Sequence, residues 1–154
     1  MAMSEEVLLC YHGSAPAREA IGAAARLLGP RPAVVLTVWE PAAQMTRLDP
    51  IGDAVGALSG LYADIDAIGR DQAQAHAEEG ARLAREHGFD ATPRTEEGQA
   101  WRTIVDVARE LDAAAVVLGS RGLSTLETLL GGVSARVALH CCQPVLVVPP
   151  RAGG

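Results

Sequence analysis

Lysine is absent from this sequence, and all thirteen basic residues are arginine. That excludes a GxxxxGK[ST] phosphate loop, a Schiff-base lysine and a Ser–Lys nucleophile pair. Aromatic residues are nearly as scarce, amounting to Tyr11, Trp39, Tyr62, Phe89 and Trp101. Any core is therefore aliphatic, and with 28 alanines and 16 glycines its elements must pack closely. The three cysteines, Cys10, Cys141 and Cys142, are odd in number and sit within apolar runs, which argues against a disulfide framework. They are expected to be inert, mostly buried thiols, and a redox role for the adjacent Cys141 and Cys142 would need a partner from elsewhere in the chain. No apolar run approaches the roughly 18 residues that span a bilayer, and no basic segment precedes the first apolar run, so no signal peptide is expected. The expectation is a cytoplasmic protein with no membrane partner.

The 13 basic residues stand against 19 acidic ones, giving a net charge of −6. Such a surface has no long-range attraction for phosphate backbones, and the arginines are not interleaved with aromatic stacking partners. Nucleic acid is therefore not expected as a partner. A length of 154 residues suits one domain over 1–154, with its core at about 5–149.

Hydrophobic periodicity organises the chain. Residues 7–11 form a short apolar run that ends at His12-Gly13-Ser14, and Ile21, Ala24, Ala25 and Leu28 then recur at helical spacing. Residues 33–39 are a continuous, largely β-branched run of the kind buried on both faces of a parallel sheet. The segment from Pro41 to about Gly60 reads as a surface excursion with one short helical stretch, and a helix is expected from Leu61 to His87 with Ala77, Ala81 and Ala84 as its packing stripe. A third strand over 89–95 contains Pro93, which points to a sheet edge. The helix 99–111 presents Ile104, Val107, Ala108 and Leu111 on one face, followed by a buried strand over 114–118. A helix from Val133-Ser134 to about Cys142 and a last strand, Val145–Val148, complete the pattern. Five strands separated by helices predict a parallel sheet covered on both faces, with ligand sites at the carboxyl ends of its strands.

The glycines gather at those ends. Gly119, Ser120, Arg121 and Gly122 follow a buried strand, and Gly131, Gly132, Val133 and Ser134 open a helix. Glycines there let the backbone approach a ligand, and a helix start offers unpaired N–H groups and a positive dipole end. Phosphate can be held this way without lysine, with Arg121 supplying a guanidinium fork and the Ser134 hydroxyl either capping the helix or bonding an oxygen. Glycines at α/β turns also serve the turn itself, so the spacing alone leaves both readings open.

The chain resembles a universal stress protein of the single-domain type. The resemblance runs from VLLCYHGS at Val7 through VVLTVWEP at 34–41, VVLGSRGLS at 116–124 and LLGGVSARV at 129–137 to QPVLVV at 143–148. It implies a three-layer α/β/α fold with a five-stranded parallel sheet of order 3-2-1-4-5, of the adenine nucleotide alpha hydrolase-like type. It also implies homodimers, paired here through Val145–Val148, and in one subclass ATP bound at the strand ends. That subclass carries Gly-x2-Gly-x9-Gly-[Ser/Thr]. Here nine residues separate Gly122 from Gly132, which is followed by Val133, whereas eight separate it from Gly131, which leaves Gly132 in the hydroxyl position. A lost hydrogen bond to an ionised group is worth roughly 1.5–3 kcal/mol, enough to weaken ATP without abolishing its binding. The family pattern commonly reads Asp-Gly-Ser where this chain has His12-Gly13-Ser14, and it places Val38 beside the adenine.

The resemblance thus implies binding of ATP or AMP, with Mg²⁺ entering only with ATP, in a regulatory or stress-response role. His12, Gly13 and Val38 would line the nucleoside side. The alternative is a nucleotide-free homodimeric interaction protein, with a protein partner not identified, that keeps the fold but carries a degraded ATP motif. A flavin or nicotinamide binder is a third, weaker reading, because GxGxxG is absent after the first strand, where the sequence is Cys10-Tyr11-His12-Gly13-Ser14. No catalytic residue is expected: Ser14 and Ser120 have no base at meaningful spacing, and neither Gly-x-Ser-x-Gly nor a Cys-His-Asn order occurs. His76, His87 and His140 stand isolated on helices without metal-ligand spacing, and Asp64, Asp66, Asp106 and Glu110 suit solvent contacts or helix ion pairs.

Overall fold

A computed structural model describes residues 4–45, 54–120 and 132–150. The elements are β1 (Val7–Cys10), α1 (Ala15–Leu28), β2 (Pro32–Trp39), α2 (Ala42–Met45), α3 (Ala54–Glu86), β3 (Asp90–Glu97), α4 (Ala100–Leu111), β4 (Ala115–Gly119), α5 (Val133–His140) and β5 (Val145–Val148). The five strands form one sheet of order β3-β2-β1-β4-β5 with every neighbouring pair parallel, the order the resemblance implied. Helices α1 and α3 cover one face through Ala17, Ala20, Ile21, Ala24, Ala81 and Ala84. Helices α4 and α5 cover the other through Ile104, Val107, Ala108 and Val137.

Local chemistry sets the element boundaries. Ser14 caps α1, its hydroxyl accepting from the Ala17 amide at 3.3 Å, and Pro16 occupies a position where a missing N–H costs nothing. Helix α4 ends where Asp112 turns left-handed at φ 47° and its amide bonds the carbonyls of Ala108 and Arg109. The alanine stripe of α3 is as expected, with Ala77, Ala81 and Ala84 all fully buried.

The 41–60 segment carries the short helical stretch expected of it but ends within the next helix, and 46–53 lie outside the described residues. Helix α2 covers Ala42–Met45 and α3 begins at Ala54, seven residues ahead of Leu61. Alanine is the best helix former, so the Ala- and Gly-rich composition that suggested a loop is compatible with helix at a cost of about 1 kcal/mol per glycine. The Asp66 carboxylate accepts from the Ala42 amide at 2.8 Å and ties the two helices together. The last helix closes at His140 rather than Cys142.

The two sheet edges differ in chemistry. Strand β3 is an edge, as Pro93 required, and it is blunted by charge: Arg94 pairs with Glu96 at 2.9 Å and with Glu110 of α4 at 2.6 Å. Strand β5, at the opposite edge, is wholly aliphatic, with Val147 36% exposed.

The cysteines are not equally buried. Cys142 is exposed, while Cys10 and Cys141 are half-buried against the α4 side of the core, which corrects the expectation for Cys142. Burial pushes the Cys10 thiol up to about 12, with the Cys141 thiol adding to the effect. The thiolate is the reactive species, so iodoacetamide at pH 8 is expected to alkylate Cys142 first and Cys10 only after denaturation. Peptide mass spectrometry over a time course checks this, and early carbamidomethylation of Cys10 would contradict it.

Candidate functional site

Chain order reverses between β1 and β4. From β1 the chain moves outward to β2 and β3, then returns through α4 to β4 on the other side of β1. Ligands of open parallel sheets bind in the crevice at the carboxyl ends of strands at such a switch point.

The turn after β1 is fixed from several directions. Tyr11 is buried; its amide donates to the Leu36 carbonyl at 2.9 Å, and its carbonyl accepts from the buried Thr37 hydroxyl at 2.7 Å. The Tyr11 hydroxyl donates to Glu79 of α3 at 2.8 Å and accepts from Arg18 Nε at 3.1 Å, and Arg18 pairs with the same carboxylate at 2.8 Å. Burial holds the Tyr11 hydroxyl above its ordinary pKa. The hydrogen bond from Tyr11, helped by Arg18, holds Glu79 below its own. Past this anchor, His12 is exposed and Gly13 adopts φ +85°, a conformation that favours glycine. A Cβ on Gly13 would lie 3.0 Å from His76 Nε2, so His76, expected to stand isolated on its helix, packs against the β1 turn.

The β4 side closes on the same point. A Cβ on Gly119 would lie 2.5 Å from the Pro16 carbonyl oxygen, so the end of β4 and the start of α1 meet backbone to backbone. The Ser120 amide donates to the Val148 carbonyl at 3.0 Å. Gly132 is the N-cap of α5, with extended backbone and a carbonyl that accepts from the Arg136 amide, and it has no capping side chain. Ser134 is therefore not a cap. Its hydroxyl donates to the Gly119 carbonyl at 3.4 Å, holding the start of α5 to the end of β4, and the Gly132 N-cap supplies no side-chain hydrogen bond to the first turn of α5. Val133, the first α5 residue, is exposed.

The structure thus brings Gly119 and Ser134 into contact and sets Gly13, two residues before the start of α1, on the β1 side of the crevice. Val38 is half-buried on the α4 face, which it shares with Cys10. Arg121, Gly122 and Gly131 lie outside the described residues. Thr37, Arg18, Glu79 and His76, which position the β1 turn, carried no signal in the sequence, because Tyr11 and Glu79 meet across 68 positions. Among the described residues no group of three or more His, Cys, Asp or Glu is placed to hold a metal ion, and no helix is long and apolar enough to cross a membrane.

A parallel five-stranded sheet of order 3-2-1-4-5 between two helical layers defines a three-layer α/β/α protein. The family model described as the universal stress protein family matches residues 3–149, and the chain belongs to that family. It is 39% identical over 90 residues to universal stress protein Sll1654 of Synechocystis sp., a match covering 56% of this chain and 57% of that protein, so it spans just over half the length of this relative. Two solved structures share the fold. One is the hypothetical protein MJ0577, with a TM-score of 0.73 and 17% identity over 99% of this chain and 100% of that one. The other is a universal stress protein in complex with cAMP, with a TM-score of 0.64 and 22% identity over 96% and 98%.

Proposed function

We propose that this protein binds an adenine nucleotide, ATP or AMP, at the β1–β4 switch point and acts through the bound state as a regulator, without turning the nucleotide over. The carrying observation is the meeting of Gly119, the start of α1 and the start of α5 at one place, where a helix start offers its positive dipole end to an anion. The cAMP complex of the structural relative supports an adenine ligand. In this reading His12, Gly13 and Val38 line the nucleoside side. Gly119, Arg121, Gly122, Gly131, Gly132, Val133 and Ser134 face the phosphates, and Mg²⁺ enters only with ATP. Protein stripped of nucleotide, titrated with ATP and with AMP in a calorimeter, is expected to bind at submillimolar concentration. His12→Asp, which restores a carboxylate acceptor, is expected to tighten binding severalfold. No heat at millimolar nucleotide with either protein would overturn the reading.

We also propose that two copies pair through Val145–Val148, as a homodimer that presents a surface to a further protein partner. The contrast between the charged β3 edge and the wholly aliphatic β5 edge favours this, since natural edges are blunted or covered. Sedimentation velocity is expected to show a dimer for the native chain and a monomer for Val147→Lys. A native chain that stays monomeric at tens of micromolar would rule out this pairing. A dimer that binds no nucleotide would leave an interaction protein built on the same fold.

A further inference from the structure

Two arginines from different helices converge on one indole. The guanidinium carbon of Arg102, on α4, lies 5.3 Å from the Trp101 ring centroid, and that of Arg136, on α5, lies 5.7 Å from it. His140, one turn beyond Arg136, sets its ring against the same indole at 4.8 Å. A guanidinium over an aromatic face is held by the ring's quadrupole, and this contact uses none of its five N–H donors.

Arg18, Arg82 and Arg94 have carboxylate partners, and Arg31 and Arg85 donate to backbone carbonyls. Arg102 and Arg136 form no side-chain hydrogen bond or ion pair among the described residues. Asp106 stands four residues after Arg102 on α4, at ion-pair spacing, yet the guanidinium lies over the indole instead. The Trp101 Nε1 atom is also buried without an acceptor. In a chain of net charge −6, two cations held against one indole without a counter-ion among the described residues have the charge to take a dianion. Their place in the fold points the same way. Trp101 stands in the first turn of α4, which follows the carboxyl end of β3, and Arg136 follows Ser134 on the helix whose start reaches Gly119.

We propose that Arg102 and Arg136, positioned by Trp101, form a binding site for a phosphate-type oxyanion. The identity of its source rests on the nucleotide reading above: the group is the terminal phosphates of ATP, which AMP lacks. Free polyphosphate shares the same chemistry, and the experiment separates the two.

In a Trp39→Phe background Trp101 is the sole indole, so its fluorescence reports tripolyphosphate binding directly. Tripolyphosphate is expected to change that fluorescence saturably. Arg102→Gln with Arg136→Gln is expected to weaken its binding at least tenfold and to shrink the preference for ATP over AMP, read by calorimetry, by a similar factor. Arg109→Gln, which removes an exposed arginine from the last turn of the same helix, is expected to change neither. Circular dichroism confirms that each variant is folded. Tripolyphosphate that fails to bind the native chain, or binds the double variant equally well, overturns the site. If tripolyphosphate binding depends on the two arginines but the ATP-to-AMP ratio does not, the site stands and the nucleotide is excluded as its source. If tripolyphosphate binds and neither nucleotide does, the nucleotide reading fails and the oxyanion site remains.

Discussion

Gly119→Ala is expected to lower the melting temperature by about 5–10 °C, an unusually large effect for one added methyl group. The new Cβ would lie 2.5 Å from the Pro16 carbonyl oxygen, 2.6 Å from its carbon and 2.9 Å from the Ala17 nitrogen. All three are backbone atoms, so no side chain can swing aside. Relief requires the end of β4 to separate from the start of α1, and β4 is fixed by parallel pairing to both β1 and β5. Overpacking of this kind costs about 1–3 kcal/mol, and a chain of this size loses about 2–4 °C per kcal/mol. Gly60→Ala is the control: a Cβ there meets nothing within 4 Å, and a helix-interior glycine replaced by alanine gains about 0.5–1 kcal/mol. Thermal unfolding followed by circular dichroism should move the two variants in opposite directions. A Gly119→Ala melt within about a degree of the native one would show that this junction tolerates separation. The same substitution is expected to reduce nucleotide binding, because the Gly119 carbonyl holds Ser134 and with it the start of α5.

How much of this was legible in the sequence follows from the range of the interactions. Strands buried on both faces announce themselves as aliphatic runs, and β2 and β4 were placed from Ala33–Trp39 and Ala114–Leu118 to within a residue or two. Helix α4 was equally plain, because Ile104, Val107 and Ala108 recur at its period and all three are buried. The start of α3 was not, since Gly56, Ser59 and Gly60 interrupt a stretch whose few apolar residues, Val55, Leu58 and Leu61, mark its period only weakly. Its helix is fixed by contacts such as Asp66 with the Ala42 amide, across 24 positions. The candidate site divides the same way. Glycines at strand ends were visible because a turn needs them locally. The Tyr11–Arg18–Glu79 anchor, the His76 contact with Gly13 and the Ser134 bond to Gly119 exist only once α1, α3 and α5 are docked. The convergence of Arg102 and Arg136 on Trp101 has the same origin, because its partners sit on separate helices.

Gly80→Ala is expected to destabilise the protein by about 2 kcal/mol, although alanine in a helix interior ordinarily gains about 1 kcal/mol over glycine. The reason is how closely α3 approaches the sheet. A Cβ on Gly80 would lie 2.7 Å from both Tyr11 Cδ1 and Val35 Cγ1, and 2.8 Å from Tyr11 Cγ. The Tyr11 ring cannot rotate away: it is 1% exposed, its hydroxyl is held by Glu79 and Arg18, and its carbonyl is held by Thr37. Helix α3 must therefore lift, which loosens the fully buried contacts of Ala77, Ala81 and Ala84. The origin of the loss is testable through Tyr11→Leu, which costs stability alone but vacates the ring's volume. In a double-mutant cycle by urea denaturation, Gly80→Ala should cost at least about 1 kcal/mol less in the Tyr11→Leu background than in the native one, since residues in direct contact couple by about 0.5–3 kcal/mol. Additive effects would place the strain at Val35 instead, and a stabilising Gly80→Ala would mean that α3 sits on the sheet with more room than this geometry allows.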